Sequence, residues 1–293
     1  MTDKPTASRR GTSRRLICGN RTLELDHTLV MGVLNVTPDS FSDGGAWFDP
    51  RRAVDHALEM VDRGADIVDV GGESTRPGAS DVPEPEELRR VLPVVEALVA
   101  AVDVPVSIDT RKASVAQRAL DAGATIVNDT GGEESDRAID PVVAAGGAAV
   151  VVMHARGNPV TMRSLTDYAD VTGDVTRWLR GRAQDLEAAG VDRRSIVLDP
   201  GFGFAKTPPQ NLELLNRLSE VTDLGYPVLV GTSRKTFIGE VLDLPTDERI
   251  EGTMASVVWA ISQGAHIVRV HDVGPMVRAA RMADAIAGSV PVG

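Results

Sequence analysis

Four polar residues, each at the end of a separate aliphatic run, could together bind a flat heterocycle. They are two carboxylates, an amide and an amine: Asp109, Asp199, Asn128 and Lys235. A carboxylate accepts two N–H bonds, an amide both donates and accepts, and a lysine donates to a carbonyl. The set therefore matches a ring with an amino group, ring N–H groups and a carbonyl. Buried together, these groups need a ligand or each other, so the alternative is an internal salt bridge of Lys235 with Asp109 or Asp199.

A second pair, Arg269 and His271, could bind an anion. The two residues are two positions apart in a short aliphatic run, and the two-residue period of a strand puts both side chains on the same face. The planar fork of an arginine and the donor of an imidazole suit phosphate oxygens. The alternative is an arginine that forms a salt bridge with a nearby carboxylate.

These residues belong to a pattern that recurs eight times. A short aliphatic run ends in polar residues or glycine, and a helical stretch follows before the next run. The runs are 29–35, 66–74, 104–110, 124–129, 148–154, 195–201, 226–235 and 266–272. Continuous Val, Ile and Leu runs are typical of strands buried on both faces of a parallel sheet. Eight such units predict an α/β fold, a single (β/α)8 TIM barrel whose strand ends converge on one mouth.

The rival architecture is a doubly wound open sheet. No G-x-G-x-x-G sequence opens a first helix, and the polar residues follow all eight runs rather than one turn, so the barrel is favoured. A lone aspartate at a strand end is often a helix N-cap, but polar groups at eight ends are harder to explain as caps. The expected mouth contains Asn35, Glu73 to Arg76, Asp109, Asn128, His154, Asp199, Ser233 to Lys235, Arg269 and His271.

Two segments precede the barrel pattern. Residues 1–15 are polar and basic and are predicted to form a disordered tail, which leaves 16–293 for the barrel domain. Paired arginines in this tail could suggest an export signal, but no apolar segment follows them. Residues 16–18 and 21–25 flank Gly19-Asn20, which predicts a β-hairpin. We expect this hairpin to plug the bottom of the barrel.

The composition excludes several classes of protein. The chain has 293 residues, 42% of them hydrophobic, and a net charge of −11. An acidic surface repels a nucleic-acid backbone, and no apolar run reaches the roughly 18 residues needed to cross a membrane. The single cysteine, Cys18, excludes an internal disulfide framework and a multi-cysteine zinc site. It fits a reducing compartment, and we expect a cytoplasmic protein.

Two long loops follow the first two predicted strands. Residues 37–45 (TPDSFSDGG) and 73–80 (ESTRPGAS) are rich in Gly, Pro, Ser and Asp. Long loops at a barrel mouth usually act as lids or substrate clamps. The turn at 201–206 lacks the spacing of a phosphate-binding P-loop.

The chain resembles the dihydropteroate synthase family from about residue 29 to 287, in the family order. The motifs are VLNVTPDSFSDGG, IVDVGGESTRPGA, SIDT, IVND, VMHARGNPVTM, VLDPGFGFAK, VGTSRKTFIG, ERIEGTMAS and IVRVHDV. The resemblance implies a pterin-binding TIM barrel, commonly a homodimer. It also implies a transferase that joins 6-hydroxymethyl-7,8-dihydropterin diphosphate to para-aminobenzoate. The products would be 7,8-dihydropteroate and pyrophosphate, a step of folate synthesis assisted by Mg²⁺.

The resemblance further implies a role for each matching residue. The pterin would be bound by Asp109, Asn128, Asp199 and Lys235, stacked on by Arg269, and walled by Met153 and Phe204. The diphosphate would be held by Asn35, Arg269 and His271, with Asn35 also reaching Mg²⁺. The para-aminobenzoate site would be lined by Phe41, Thr75, Arg76, Pro77, Ser233 and Lys235. The catalytic residues would be Asp109, Lys235, Asp39 and Arg269.

The implied mechanism is a displacement in which pyrophosphate leaves the methylene carbon first. The dihydropterin ring delocalises the cation, Asp109 stabilises it, and the amine then attacks. Two stretches depart from the family pattern. Residues 130–132 are Thr-Gly-Gly, where many relatives have Val-Ser-Gly or Ile-Ser-Gly. Residues 207–210 are Thr-Pro-Pro-Gln, where Asn and charged residues are usual. The rival functions are a pterin-dependent methyltransferase, which would not need the diphosphate clamp, and a non-catalytic pterin-binding paralogue, which should have eroded loops.

Overall fold

The main element of the fold is a sheet of eight parallel strands. The structure is a computed structural model that describes residues 15–37, 50–74 and 78–288. The two strands that precede the sheet are β1 (Arg15–Cys18) and β2 (Arg21–Glu24). The parallel strands are β3 (Leu29–Asn35), β4 (Ile67–Gly71), β5 (Val106–Asp109), β6 (Ile126–Asp129), β7 (Ala149–Met153), β8 (Ile196–Asp199), β9 (Leu229–Val230) and β10 (Ile267–Val270). Each corresponds to one of the eight predicted runs.

The sheet is closed into a barrel at one weak seam. Its strand order is β8-β7-β6-β5-β4-β3-β10-β9, so β8 and β9 are the two ends. They are joined by a parallel bridge between Leu198 and Val228 and by the bond from the Leu198 N–H to the Pro227 carbonyl, 2.9 Å long. Proline cannot donate to a ladder, which keeps this pairing short. The predicted TIM barrel is confirmed.

Helices surround the barrel, and their apolar faces pack on the outer side of the sheet. They are α1 (Pro50–Asp62), α2 (Glu84–Ala101), α3 (Ala113–Asp121), α4 (Ile139–Gly146), α5 (Val171–Ala188), α6 (Pro208–Asn216), α7 (Ser219–Thr222), α8 (Thr236–Leu242), α9 (Ile250–Ser262) and α10 (Val273–Ile286). None of the helices within the described ranges is long and apolar enough to cross a membrane. The Thr-Pro-Pro-Gln stretch starts α6, because Thr207 and Gln210 form a capping box.

The hairpin plugs the bottom of the barrel, as predicted. The two strands pair antiparallel, with Arg15 opposite Glu24, so Arg15 belongs to β1 rather than to the predicted tail. The side chains of Leu16 and Cys18 are buried in one apolar cluster with strand residues such as Met31. Burial raises the pKa of the Cys18 thiol to about 12, so this cysteine packs as a small apolar side chain.

The alternation of side chains along each strand places a polar layer above this apolar plug. In β3, Leu29 and Met31 face the barrel interior while Val30 and Leu34 face the helices. The same period makes the interior polar toward the carboxyl ends of the other strands. The buried polar residues of this layer are Asp69, Ser107, Asp109, Asn128 and Asp199.

Candidate active site

The polar residues that end the strands come together at the barrel mouth. Asp109 ends β5 and Asp199 ends β8, while Asn128 in β6 lies in register with Asp109. All three side chains are buried. Lys235 precedes α8, and its ammonium interacts electrostatically with Asp199 and Asp109. The structure thus collects the two carboxylates, the amide and the amine at one place.

Lys235 is not engaged in the salt bridge that was the alternative interpretation. Its Nζ atom lies 4.1 Å from the centroid of the Phe204 ring, and no carboxylate of the described residues is within ion-pairing distance. Burial, with the nearby charge of Arg269, lowers the pKa of Lys235 to about 8. The ammonium therefore has donors left for a ligand.

Arg269 does form the carboxylate salt bridge that was its alternative interpretation, and it forms two. Its Nε atom lies 2.7 Å from Asp69 Oδ2 and its Nη2 atom 2.7 Å from Asp109 Oδ2. These bonds hold the guanidinium across the barrel between β10, β4 and β5. The third nitrogen, Nη1, forms no hydrogen bond to the described residues. The fork is therefore fixed in place and keeps a donor for an anion.

Asp109 is poised to change charge near neutral pH. Burial raises its pKa to about 7, and the negative charges of Asp69 and Glu87 act in the same direction. Arg269 and the Thr130 hydroxyl, which donates to Asp109 Oδ1 over 3.0 Å, act against this rise. A carboxylate with such a pKa, in a cleft and beside a fixed cation, is typical of a functional site.

Asp199 faces the same pocket with one oxygen already bonded. Its Oδ1 atom accepts the Gly201 N–H at 2.8 Å, and Oδ2 accepts no hydrogen bond from the described residues. Burial raises the pKa of Asp199, while Lys235 and Arg269 act to lower it. Gly201 is required here because its φ of +71° is left-handed and a Cβ would collide with the His154 carbonyl oxygen.

His271 is neutral at physiological pH. Burial and the charges of Arg269, Arg234 and Lys235 lower its pKa to about 3. Its Nδ1 atom lies 3.0 Å from Ser233 Oγ, which orients the imidazole and leaves Nε2 toward other partners. Arg234 forms a bidentate pair with Asp272 at 2.6 and 3.0 Å.

Two apolar residues wall the pocket. Met153 ends β7 beside Asp199 and is buried, and Phe204 lies under the Lys235 ammonium. Lys206 braces the turn that carries Phe204, because its buried Nζ donates to the carbonyls of Gly201 and Phe204, each at 3.0 Å. Burial lowers the pKa of Lys206 to about 7.

An ion-pair network holds the root of the second loop. Lys112 Nζ lies 2.5 Å from both Glu73 and Glu87, and Arg111 pairs with Glu73 at 2.8 Å. Glu87 is completely buried in α2 and also accepts the Thr110 hydroxyl at 2.6 Å. The network ties Glu73 to the neighbouring β5–α3 turn and to α2.

The predicted loop residues lie outside the described residues. These are Asp39 and Phe41 in the first loop, and Thr75, Arg76 and Pro77 in the second. Asn35, the predicted metal ligand, ends β3 at the mouth and is partly exposed. Within the described ranges, no three His, Cys, Asp or Glu side chains form a cluster that could hold a metal ion.

Two residues of the site were missed by sequence reasoning. Asp69 lies within β4 rather than at its end, yet it is completely buried and bonded to Arg269 and Asn128. A charged residue inside an aliphatic run, two positions after Ile67, is the signal that could have identified it. Thr130 was noted only as a departure from the family pattern, and its hydroxyl contacts Asp109.

His154 does not line the mouth, contrary to the prediction. It follows the inward-facing Met153, so the strand period turns it to the outer side of the barrel. There its ring packs edge-on against Trp178, with 5.3 Å between the ring centroids. Its Nδ1 atom lies within hydrogen-bonding distance of Lys206 Nζ, at 3.1 Å. Burial holds the pKa of His154 well below its usual value.

Comparison with known proteins gives one consistent family. Residues 31–271 match the pterin binding enzyme family. The chain is 50% identical over 261 residues to the dihydropteroate synthase of Bacillus subtilis, which covers 89% of each chain. It is similar to the Xanthomonas albilineans dihydropteroate synthase structure with 4-aminobenzoic acid (TM-score 0.88, 44% identity, covering 96% of this chain and 100% of that one). It is also similar to the structure of that organism's enzyme with 7,8-dihydropteroate (TM-score 0.84, 42% identity, 94% and 100% covered).

Proposed function

The chain belongs to the dihydropteroate synthases of the pterin-binding enzyme family, and from this premise we propose its reaction and the roles of its residues. The reaction joins 6-hydroxymethyl-7,8-dihydropterin diphosphate to para-aminobenzoate and releases pyrophosphate. The observation that carries the proposal is the set of Asp109, Asn128, Asp199 and Lys235 in one buried pocket beside the fixed fork of Arg269. The relatives named above are synthases, so neither a methyltransferase nor a non-catalytic paralogue is favoured.

The pterin ring would lie between the apolar walls of the pocket and form hydrogen bonds with the polar residues of the site. Asp199 Oδ2, which accepts no bond from the described residues, would accept from the amino group and a ring N–H. Lys235 would donate to the ring carbonyl, and Met153 and Phe204 would contact the ring faces. The guanidinium of Arg269, held edge-on by two carboxylates, leaves its flat face for stacking on the pterin.

The diphosphate would lie at the outer edge of the pocket. Arg269 Nη1 and neutral His271 would donate to its oxygens, and Asn35 would reach it from β3. A Mg²⁺ ion usually takes one or two protein oxygens, several waters and the substrate phosphates. The single amide oxygen of Asn35 fits such a shared ion, and the clusters of carboxylates needed for a protein cage are lacking within the described ranges. When bound, the ion would neutralise negative charge on the departing pyrophosphate.

The chemical step follows from the position of Asp109. As the bond between the methylene carbon and the diphosphate oxygen breaks, positive charge spreads into the dihydropterin ring. Ionised Asp109, already fixed by Arg269 and Thr130, would stabilise this charge without reorganisation. The amine of para-aminobenzoate then attacks the carbon and loses a proton to the released pyrophosphate or to water. This step needs no covalent enzyme intermediate.

The loops would complete the aminobenzoate site. We assign Asp39 to the closed reacting centre, and Phe41, Thr75, Arg76 and Pro77 to the aminobenzoate pocket with Ser233 and Lys235. The support for the second loop is its root, where Glu73 is held by Lys112 and Arg111. Exclusion of water by these loops would protect the pterin cation.

We also propose a cytoplasmic homodimer. Leu212 on α6, Val241 and Leu242 on α8 and Trp259 on α9 are exposed, and these helices pack against one another. An apolar patch of this kind is typical of a subunit interface, and a second copy of this chain is the occupant we assign. Val241→Arg should then give monomers in analytical ultracentrifugation. The free Cys18 agrees with a reducing compartment.

The test of the reaction is pyrophosphate release with both substrates, with each omitted in turn. The proposal requires release that depends on both substrates and forms 7,8-dihydropteroate in equal amount. Release without para-aminobenzoate would instead indicate a hydrolase, and pterin binding without release would indicate a binding protein.

A further inference from the structure

Asp69 is a buried carboxylate with an unequal set of partners. Its Oδ2 atom accepts two bonds, from Arg269 Nε at 2.7 Å and from Asn128 Nδ2 at 3.0 Å. Its Oδ1 atom is buried and has no hydrogen-bond partner among the described residues. The residue lies in β4, within the polar layer of the barrel interior.

The bond from Asn128 to Asp69 fixes which end of the amide faces the carboxylate. A rotation of the amide by half a turn would bring its oxygen against Asp69 Oδ2, and two acceptors repel each other. The NH₂ group of Asn128 is therefore committed to Asp69. Its other end, Oδ1, is left as a buried acceptor without a hydrogen-bond partner among the described residues.

We propose that Asp69 is a positioning residue that sets the hydrogen-bonding polarity of Asn128, so that the site selects a heterocycle presenting an N–H donor to Asn128 Oδ1. The inference rests on the proposed function, because the heterocycle is the pterin. A dihydropterin has ring N–H groups and an amino group that meet this requirement. A ring with an acceptor at the same place would face an oxygen and be rejected, because both groups would lose their partners.

Asp69 also holds Arg269, so the two effects must be separated. The bond to Arg269 is expected to influence the diphosphate, while the bond to Asn128 is expected to influence the pterin ring. The probes are 6-hydroxymethyl-7,8-dihydropterin, which keeps the ring N–H groups and lacks the diphosphate, and inorganic pyrophosphate. Binding of the first reports the Asn128 amide, and binding of the second reports the arginine.

The first experiment measures the Kd of 6-hydroxymethyl-7,8-dihydropterin by calorimetry for Asp69→Asn and Asn128→Ala, alone and combined. Asp69→Asn should raise the Kd at least tenfold in the native background and less than threefold in the Asn128→Ala background, because the partner it acts through is gone. The control is Asp140→Asn, which alters another buried aspartate bonded to an arginine, Arg182, at 2.9 Å. It should lower Tm and leave the Kd within twofold.

The second experiment measures binding of inorganic pyrophosphate to the same variants. Asp69→Asn should weaken pyrophosphate binding by a similar factor in the native and the Asn128→Ala backgrounds, because the bond from Arg269 to Asp69 does not pass through Asn128. The inference is overturned if Asp69→Asn raises the Kd of the pterin by the same factor in both backgrounds, because Asp69 then does not act through Asn128. Failure of the native chain to bind the pterin would instead reject the proposed function.

Discussion

The ammonium of Lys235 faces the ring of Phe204 at 4.1 Å rather than a carboxylate. An aromatic face compensates a buried cation only in part, so burial and Arg269 lower the pKa of Lys235 to about 8. The lysine can therefore lose its proton within the range in which enzymes work. Asp109, whose pKa burial raises to about 7, titrates in the same range.

We expect a bell-shaped pH profile of kcat/KM for the pterin diphosphate. In the proposed mechanism Asp109 must be ionised to stabilise the pterin cation, so the rate should rise as pH passes about 7. In the same proposal Lys235 must be protonated to donate to the pterin carbonyl, so the rate should fall as pH passes about 8. Asp109→Asn should remove the rising limb and Lys235→Gln the falling limb in steady-state kinetics. A profile that stays flat across both pKa values would contradict these assignments.

Thr130→Val should shift the rising limb to higher pH. The Thr130 hydroxyl donates to Asp109 Oδ1 at 3.0 Å and favours the ionised carboxylate, so its loss raises the pKa of Asp109. Thr130→Ser keeps the hydroxyl and should keep the native profile. If the valine and serine variants shift the limb equally, the hydroxyl is not the cause.

Asp199→Asn should weaken pterin binding by about 2–4 kcal/mol, because a charge-assisted acceptor is replaced by an amide in a buried site. Isothermal calorimetry with 6-hydroxymethylpterin measures this change. Asp192→Asn alters an exposed aspartate that caps a short helical turn before β8, and it should leave the affinity unchanged. Equal affinity of native protein and Asp199→Asn would remove Asp199 from the pterin site.

His271→Ala should raise the KM of the pterin diphosphate about tenfold or more, from the loss of a bond to a charged group, and leave the Kd of 6-hydroxymethylpterin unchanged. Its pKa of about 3 keeps it neutral, so its contribution should not vary with pH near neutrality. His56→Ala, on the exposed side of α1, serves as the control. An equal loss for both pterins would show that His271 supports the pocket rather than the diphosphate.

Lys112→Met should destabilise the fold by about 3–5 kcal/mol, since it leaves the completely buried Glu87 without its cation. Urea denaturation measures the free energy of unfolding. The KM for para-aminobenzoate should also rise, because the root of the second loop is released from Glu73. Arg89→Met removes an exposed pair with Glu86 on α2 and should change neither quantity. A stable Lys112→Met protein with native KM values would show that the network is dispensable.

Polar side chains at the ends of strands were easier to predict from the sequence than polar side chains in the middle of strands. Asp109 and Asn128 stand in register because parallel strands end at one edge. Asp69 was missed because it lies inside the aliphatic run of β4. Its role becomes visible only through its hydrogen bond to Asn128 on another strand.

The side to which a strand-end residue turns was the other difficulty. The runs are apolar on both faces, so they lack the alternation that would separate Met153 from His154. One of the two partners of Arg269 was equally hidden, because Asp69 is 200 positions away in the chain. Asp39 and Thr75, in the two loops, remain predictions.

The short pairing between β8 and β9 gives the barrel a seam along which it can open locally. One bridge, at Leu198 and Val228, joins these strands, so amide hydrogens here should exchange with solvent sooner than those of β4 or β5. Asp199 and Lys235 lie on opposite sides of that seam. A pterin bound by both residues would connect the two sides of the seam. Pterin binding should therefore slow amide hydrogen exchange at Leu198 more than at Val68 on the opposite side of the barrel.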